Sequence, residues 1–141
     1  MSETDPRAFF QHEVIVTPED IDELGHVNNA HYLRYVEACA RAHAEREGLT
    51  LAAFRAHGAL PLVHRHLITY HHPAGRGDRL AVSTRVTKMG GPRAERRNEV
   101  RLAETGELLA EVLTEWVWVD PESGRPKRAP EAISAAFGWS T

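Results

Sequence analysis

The chain has 141 residues, 42% hydrophobic and 26% charged, with a formal net charge of −3 and a sequence pI of about 6.3. That is the length of one ordinary domain with its own core, and the composition of a globular chain rather than a disordered one. The absence of a net positive field argues against nucleic acid as a partner. No apolar run approaches the ~18 residues of a spanning helix, so no membrane is expected either.

The single cysteine, Cys39, excludes an internal disulfide and a cysteine-based zinc cluster. The acidic, polar start (Met1-Ser-Glu-Thr-Asp-Pro) does not read as a secretory leader, and a cytoplasmic location is the expectation.

After a loose start of about ten residues, positions 12–17 (H-E-V-I-V-T) read as a first strand closed by Pro18. A polar loop leads into a helix predicted over 29–47. That segment is rich in Ala, Leu, Glu and Arg and is stopped by Gly48, with Asn28 or Asn29 as N-cap. Arg34, Glu37, Arg41 and Glu45 form one charged stripe on it, in which Glu37 reads as ion-paired with its arginine neighbours. Cys39 lies among the helix alanines and reads as a packed core thiol. A short helix is expected over 51–57, before Gly58.

Four strands follow, over 60–72, 78–88, 92–103 and 108–120, separated by the turn clusters 73–77, 89–92 and 104–107. Short turns imply antiparallel neighbours. In the second of these strands Leu80, Val82, Thr84 and Val86 share one face; in the last, Trp116 and Trp118 do. The tail from Pro121 is turn-rich, with a short helix over 130–137. Strand, long helix, then a run of strands indicates an α+β fold in a single domain, 1–141. One helix on one sheet leaves apolar surface or an edge to cover, which predicts a homo-oligomer.

The densest chemistry lies in D-I-D-E-L-G-H-V-N-N-A-H-Y, residues 20–32. A helix N-terminus offers unpaired N–H groups and partial positive charge to a carbonyl oxygen, and a carboxylate just upstream is able to act as nucleophile or base. The same loop also reads as a capped helix after a solvated acidic turn, and composition alone leaves both readings open. Nine histidines raise the question of a metal. His64 and His66 stand two apart, on one face of a strand, but nothing further joins them, so no metal is expected.

Residues 20–37 (D-I-D-E-L-G-H-V-N-N-A-H-Y-L-R-Y-V-E) resemble the signature loop and helix of the 4-hydroxybenzoyl-CoA thioesterase-like hotdog proteins. The H-V-N-N core is shared with plant acyl-carrier-protein thioesterases. The Y-H-H-P-A-G-R-G-D stretch (70–78) is similar to the family's Y-x-x-P-A-x-x-G-D turn, and V-W-V-D-P-E-S-G-R-P (117–126) to its last strand and exit. The resemblance runs from about residue 12 to 137.

It implies a hotdog fold: a long central helix against a curved antiparallel sheet of about five strands. It also implies hydrolysis of an acyl-CoA thioester at a dimer interface without cofactor or metal, in a homodimer or homotetramer. The family's catalytic aspartate, three residues before the glycine, falls on Asp22, with Asp20 a second carboxylate nearby. The residue whose N–H serves the thioester oxygen falls on Asn29, and His26 and Asn28 would orient Asp22, water or substrate. Tyr32 is the family's aromatic one turn into the helix, either a substrate contact or packing. Some relatives use a helix glutamate instead, a position Glu37 would fill. Val63 is a candidate for the acyl pocket, and Arg93, Arg96 and Arg97 form the densest basic cluster for coenzyme A phosphates. Members closest to the aromatic-CoA enzyme carry other residues at His26 and Asn28-Asn29, which favours a generic acyl-CoA. A non-catalytic acyl-CoA-binding module and a hotdog acyl-carrier-protein thioesterase or hydratase are the alternatives.

Overall fold

The computed structural model of the protein describes residues 4–139. Within the stretch expected to be loose, regular structure begins at Asp5, while residues 1–3 lie outside the described residues. Asp5 accepts the Arg7 N–H and its guanidinium, capping a 3-10 turn at Pro6–Ala8. Strand β1 then spans Phe9–Ile15, three residues earlier than expected at its start. Phe9 and Phe10 pair with Arg85 and Thr84 across the sheet, and the Arg85 guanidinium lies 4.6 Å from the Phe9 ring centre. Thr17 is instead drawn into a cap: its N–H donates to Asp20 Oδ2, opening the 3-10 turn Pro18–Asp20.

Helix α1 spans His31–Arg46, α2 Leu51–His57 and α3 Glu131–Ala136. Strands β2 (Leu60–Tyr70), β3 (Arg79–Gly90), β4 (Arg93–Leu102) and β5 (Leu108–Val119) complete one antiparallel sheet in the order β1-β3-β4-β5-β2. The helix begins two residues later than predicted, because Asn28 caps from outside it. Its Oδ1 accepts the Ala30 N–H and its carbonyl accepts that of His31.

The buried face of α1 (Tyr32, Tyr35, Val36, Cys39) packs on Leu80, Val82, Val100 and Val112 of the sheet. Cys39 is fully buried, its thiol donating to the Val82 carbonyl at 3.4 Å. Leu80, Val82, Thr84 and Val86 are all at 0% exposure, so the alternation of β3 faces the helix as its sequence indicates. Truncating Leu80 to Ala would cost about 2–5 kcal/mol, since the close-packed interior cannot fill the gap. A second cluster beyond the C-terminal half of α1 joins Phe54, Trp116, Trp118, Ile133 and Phe137. The helix thus sits mainly on β3 and β1, with lesser contact to β4, and leaves a groove toward β2. Strand β2 is an edge, and Leu62 and Leu67 on it are 59% and 61% exposed.

Candidate active site

The loop before α1 is a tight hairpin. The Asp22 N–H donates to the His26 carbonyl, the Gly25 N–H closes a turn onto the Asp22 carbonyl, and Ile21 bridges Val27. Gly25 has φ of +83°, a left-handed conformation that glycine adopts without steric cost. The hairpin is locked to the 70–78 turn: the Val27 N–H donates to the Ala74 carbonyl, and the Ala74 N–H to the Tyr32 hydroxyl. Asp78 steadies that turn by accepting the Gly75 N–H. The two most recognisable stretches of sequence are therefore one structural unit, joined at the start of α1.

The two carboxylates of the hairpin have different employment. Asp20 accepts the Thr17 N–H and hydroxyl and lies 3.6 Å from His31 Nε2. Burial pushes its carboxyl up, but Thr17 and the neighbouring His31 hold it below the ordinary range. Asp22 accepts only the Leu24 N–H, through Oδ1, leaving Oδ2 without a partner among the described residues. The backbone N–H groups at the helix start differ in the same way. Those of Asn28, Ala30 and His31 are taken by the Asp20 carbonyl, Asn28 Oδ1 and the Asn28 carbonyl. The Asn29 N–H has no partner among the described residues, while the Asn29 carbonyl accepts the Tyr70 hydroxyl at 2.9 Å.

His26 and Asn29 are exposed and Asn28 is half-buried. Tyr32, only 2% exposed, holds the loops together instead of facing a ligand. The substrate contact allowed for Tyr32 gives way to packing, because the 70–78 turn covers the ring.

A cavity of about 570 Å³ lies between the second half of α1 and strands β2 and β5. Its volume suits a small-molecule ligand. Val63 is among its lining residues. Glu37 is not ion-paired with Arg34 or Arg41 as the charged stripe suggests; it reaches across the groove, its Oε2 4.0 Å from His66 Nε2. His66 Nδ1 meets Thr114 Oγ1 at 2.9 Å, and Asn98 donates to the same oxygen at 3.1 Å. His64 does not share this face: a bulge between Val63 and Arg65 turns it to the other side of the sheet, beside Glu115 and Lys88.

The basic cluster also divides. Along β4, Arg93 and Arg97 are exposed on the outer face, whereas Arg96 points under α1 and is 6% exposed. Strand alternation separates what sequence proximity groups together. His66, Thr114 and Asn98 escape sequence reasoning because only the β2–β5 and β4–β5 registers bring them together. Among the described residues no group of three or more His, Cys, Asp or Glu side chains converges as metal ligands would.

Residues 16–137 match the profile of the thioesterase-like superfamily. The chain belongs to that superfamily. Its fold is the hotdog fold, which it shares with several solved structures. One is a 1,4-dihydroxy-2-naphthoyl-CoA thioesterase from Synechocystis, 24% identical, with a TM-score of 0.85 over 92% of this chain and 96% of that one. Another is the protein TT1821 from Thermus thermophilus, 29% identical, with a TM-score of 0.81 over 91% of this chain and 96% of that one. A third is the protein SAV2348 from Staphylococcus aureus, solved in complex with CoA. It is 19% identical, with a TM-score of 0.85 over 92% of this chain and 82% of that one. Within the superfamily member described here, no helix among the described residues is long and apolar enough to cross a membrane.

Proposed function

We propose that this superfamily member is an acyl-CoA thioesterase in which Asp22 and the Asn29 N–H act on the thioester. The observation that carries the reading is that the loop before α1 holds both a carboxylate oxygen and a backbone N–H without partners among the described residues, where neighbouring groups are otherwise engaged. The thioester oxygen docks at the Asn29 N–H, and the helix dipole stabilises the charge it gains on attack. Asp22 takes a proton from water as hydroxide adds to the carbonyl carbon, or its carboxylate adds directly and forms a mixed anhydride that water then opens. Either way the C–S bond breaks, the thiolate leaves and takes up a proton, and the free acid is released. His26 and Asn28 orient the water and the helix start.

Glu37 offers a second reading of the base, favoured by its position across the groove from His66. The naming of coenzyme A in two relatives supports CoA as carrier, with acyl-carrier protein the other carrier to test. The exposed edge of β2 supports assembly with a second copy, as a dimer or a tetramer.

The test is thiol release from short, long and aromatic acyl-CoAs and an acyl-carrier-protein thioester. Wild type is compared with Asp22→Asn and Glu37→Gln, all checked for folding. Turnover by wild type that falls at least about 100-fold in Asp22→Asn supports the Asp22 mechanism. A fall confined to Glu37→Gln moves the base to the helix. Tight coenzyme A binding with no turnover of any thioester replaces the enzyme by a binding module.

A further inference from the structure

Arg96 is a charged side chain that the proposed mechanism does not use, and the fold buries it. It stands on β4 beneath α1, and it also lines the groove cavity, among Val36, Ala40, Trp116 and Phe137. Its Nη1 donates to His43 Nδ1 at 2.9 Å and to Thr84 Oγ1 at 3.0 Å. The His43 ring is then fixed, because its Nε2–H donates to the Arg7 carbonyl at 2.6 Å. His43 is therefore neutral and brings no negative charge. The Trp116 and Phe137 rings each lie 5.2 Å from the guanidinium carbon and supply a cation–π environment. No carboxylate pairs with Arg96 among the described residues, and its Nε and Nη2 donors have no partner among them.

Burying a cation without a counter-ion costs several kcal/mol, and a fold that needed only volume there would place an apolar residue. Glu37 and Glu45, the acids that line the same cavity, are exposed on the helix together with Arg41, so the mouth of the groove carries mixed charge and its inner end only the Arg96 cation. A guanidinium fork is suited to a planar carboxylate, which it binds through two parallel N–H bonds. We propose that Arg96 reads a carboxylate at the far end of the acyl group, so that the preferred substrates are ω-carboxyacyl thioesters rather than plain alkyl ones. The apolar walls of Val36, Ala40 and Trp116 hold the methylene chain between the thioester and that carboxylate. This inference rests on the thioesterase reading above.

The experiment compares kcat/KM on CoA thioesters of equal chain length ending in a carboxylate, in its methyl ester, or in a methyl group. Wild type is expected to favour the carboxylate by about 100-fold or more over both neutral ends, because only a carboxylate both accepts from the Nε and Nη2 donors and balances the guanidinium charge. Arg96→Gln is expected to bring that ratio within about threefold of one, and Arg96→Lys, which keeps the charge but loses the fork, to fall between. Equal or faster hydrolysis of the neutral thioesters by wild type overturns the Arg96 proposal and leaves the thioesterase reading standing. This arm needs no variant, so it decides even where Arg96→Gln does not fold. Should no thioester be hydrolysed, the thioesterase reading fails. Melting curves of wild type with a free alkyl monocarboxylate and with its methyl ester then decide the anion site. A greater rise in Tm with the carboxylate than with the ester upholds it, and no such difference overturns it.

Discussion

The Tyr70 hydroxyl donates to the Asn29 carbonyl across 2.9 Å, tying the last residue of the edge strand β2 to the residue whose N–H has no partner among the described residues at the helix start. This bond restrains rotation about Asn29, and Tyr70 is itself braced edge-on against Tyr32, ring centres 5.4 Å apart. Tyr70→Phe keeps the ring and removes the restraint. Since a hydrogen bond contributes about 0.5–1.5 kcal/mol net, the variant should lose about 1 kcal/mol of stability or less. Its kcat should fall about 3- to 10-fold with KM little changed, because the N–H is less well placed when charge develops. Steady-state kinetics beside a denaturant titration checks both; an unchanged kcat would remove Tyr70 from the positioning role.

Asn28 separates capping from catalysis. Its Oδ1 holds the Ala30 N–H, so Asn28→Ala should cost about 1 kcal/mol of stability and lower activity as the helix start loosens. Asn28→Asp keeps an acceptor in the same place and should restore the stability. It should nevertheless stay slow, since a negative charge then stands beside a developing oxyanion. Melting temperatures and kcat measured on both variants give the two patterns; full activity in Asn28→Asp would detach the helix start from the chemistry.

Much of this arrangement is legible in the chain because it is local. The helix–turn–strand order follows from Gly48, Gly58 and the turn clusters after Tyr70, Met89 and Ala103, and the hairpin that presents Asp22 is written in consecutive residues. The helix start is displaced by two residues because Asn28 caps through a side-chain turn before the helix, which composition does not distinguish from a cap on it. What is not legible depends on register. Arg96, His43 and Thr84 come from three separate elements, and only the pairing of β3 with β4 under α1 sets them together. The single-residue bulge after Val63 puts His64 and His66 on opposite faces, and nothing in V-H-R-H announces it.

His43 should make stability depend on pH. Burial first, and the Arg96 charge second, push its pKa down to about 4 from the ordinary 6.5. The unfolded chain therefore binds a proton there that the folded chain refuses. Stability is fully present above pH 6.5 and is lost as pH falls toward about 4. The half-buried imidazole of His12 is lowered by desolvation and acts in the same direction. His43→Gln, whose amide oxygen still accepts from Arg96, should flatten most of this slope. Urea midpoints across that window test it; an equal slope in the variant would place the titration elsewhere.

Cys39 should be silent toward thiol reagents in the folded protein. It is fully buried, and burial pushes its thiol up to about 12, so little thiolate forms at neutral pH. A colorimetric thiol reagent should find no reactive thiol in native protein and one per chain in denaturant, since the sequence holds a single cysteine. Rapid native labelling would show that α1 lifts from the sheet often enough to expose it.

The edge of β2 carries the last prediction. This strand has β5 on one side and, among the described residues, no strand on the other, and Leu62 and Leu67 stand 59% and 61% exposed on it. An open row of backbone N–H and C=O groups flanked by leucines is a template for pairing, and natural edges left unpaired carry charges or proline instead. Pro61 lies near one end of the strand, but Arg65 is its only formal charge, already bonded to Glu115 at 2.6 Å. In the assembly proposed above, the β2 edges of two copies meet. Leu62→Glu with Leu67→Lys should then leave the single chain folded, because both side chains lie outside the core, while sedimentation shifts to the mass of one copy. Thioester hydrolysis should fall with it, as Tyr70 and the groove lining share that strand. A wild type that sediments as one copy and is fully active would show that the site is complete within a single chain.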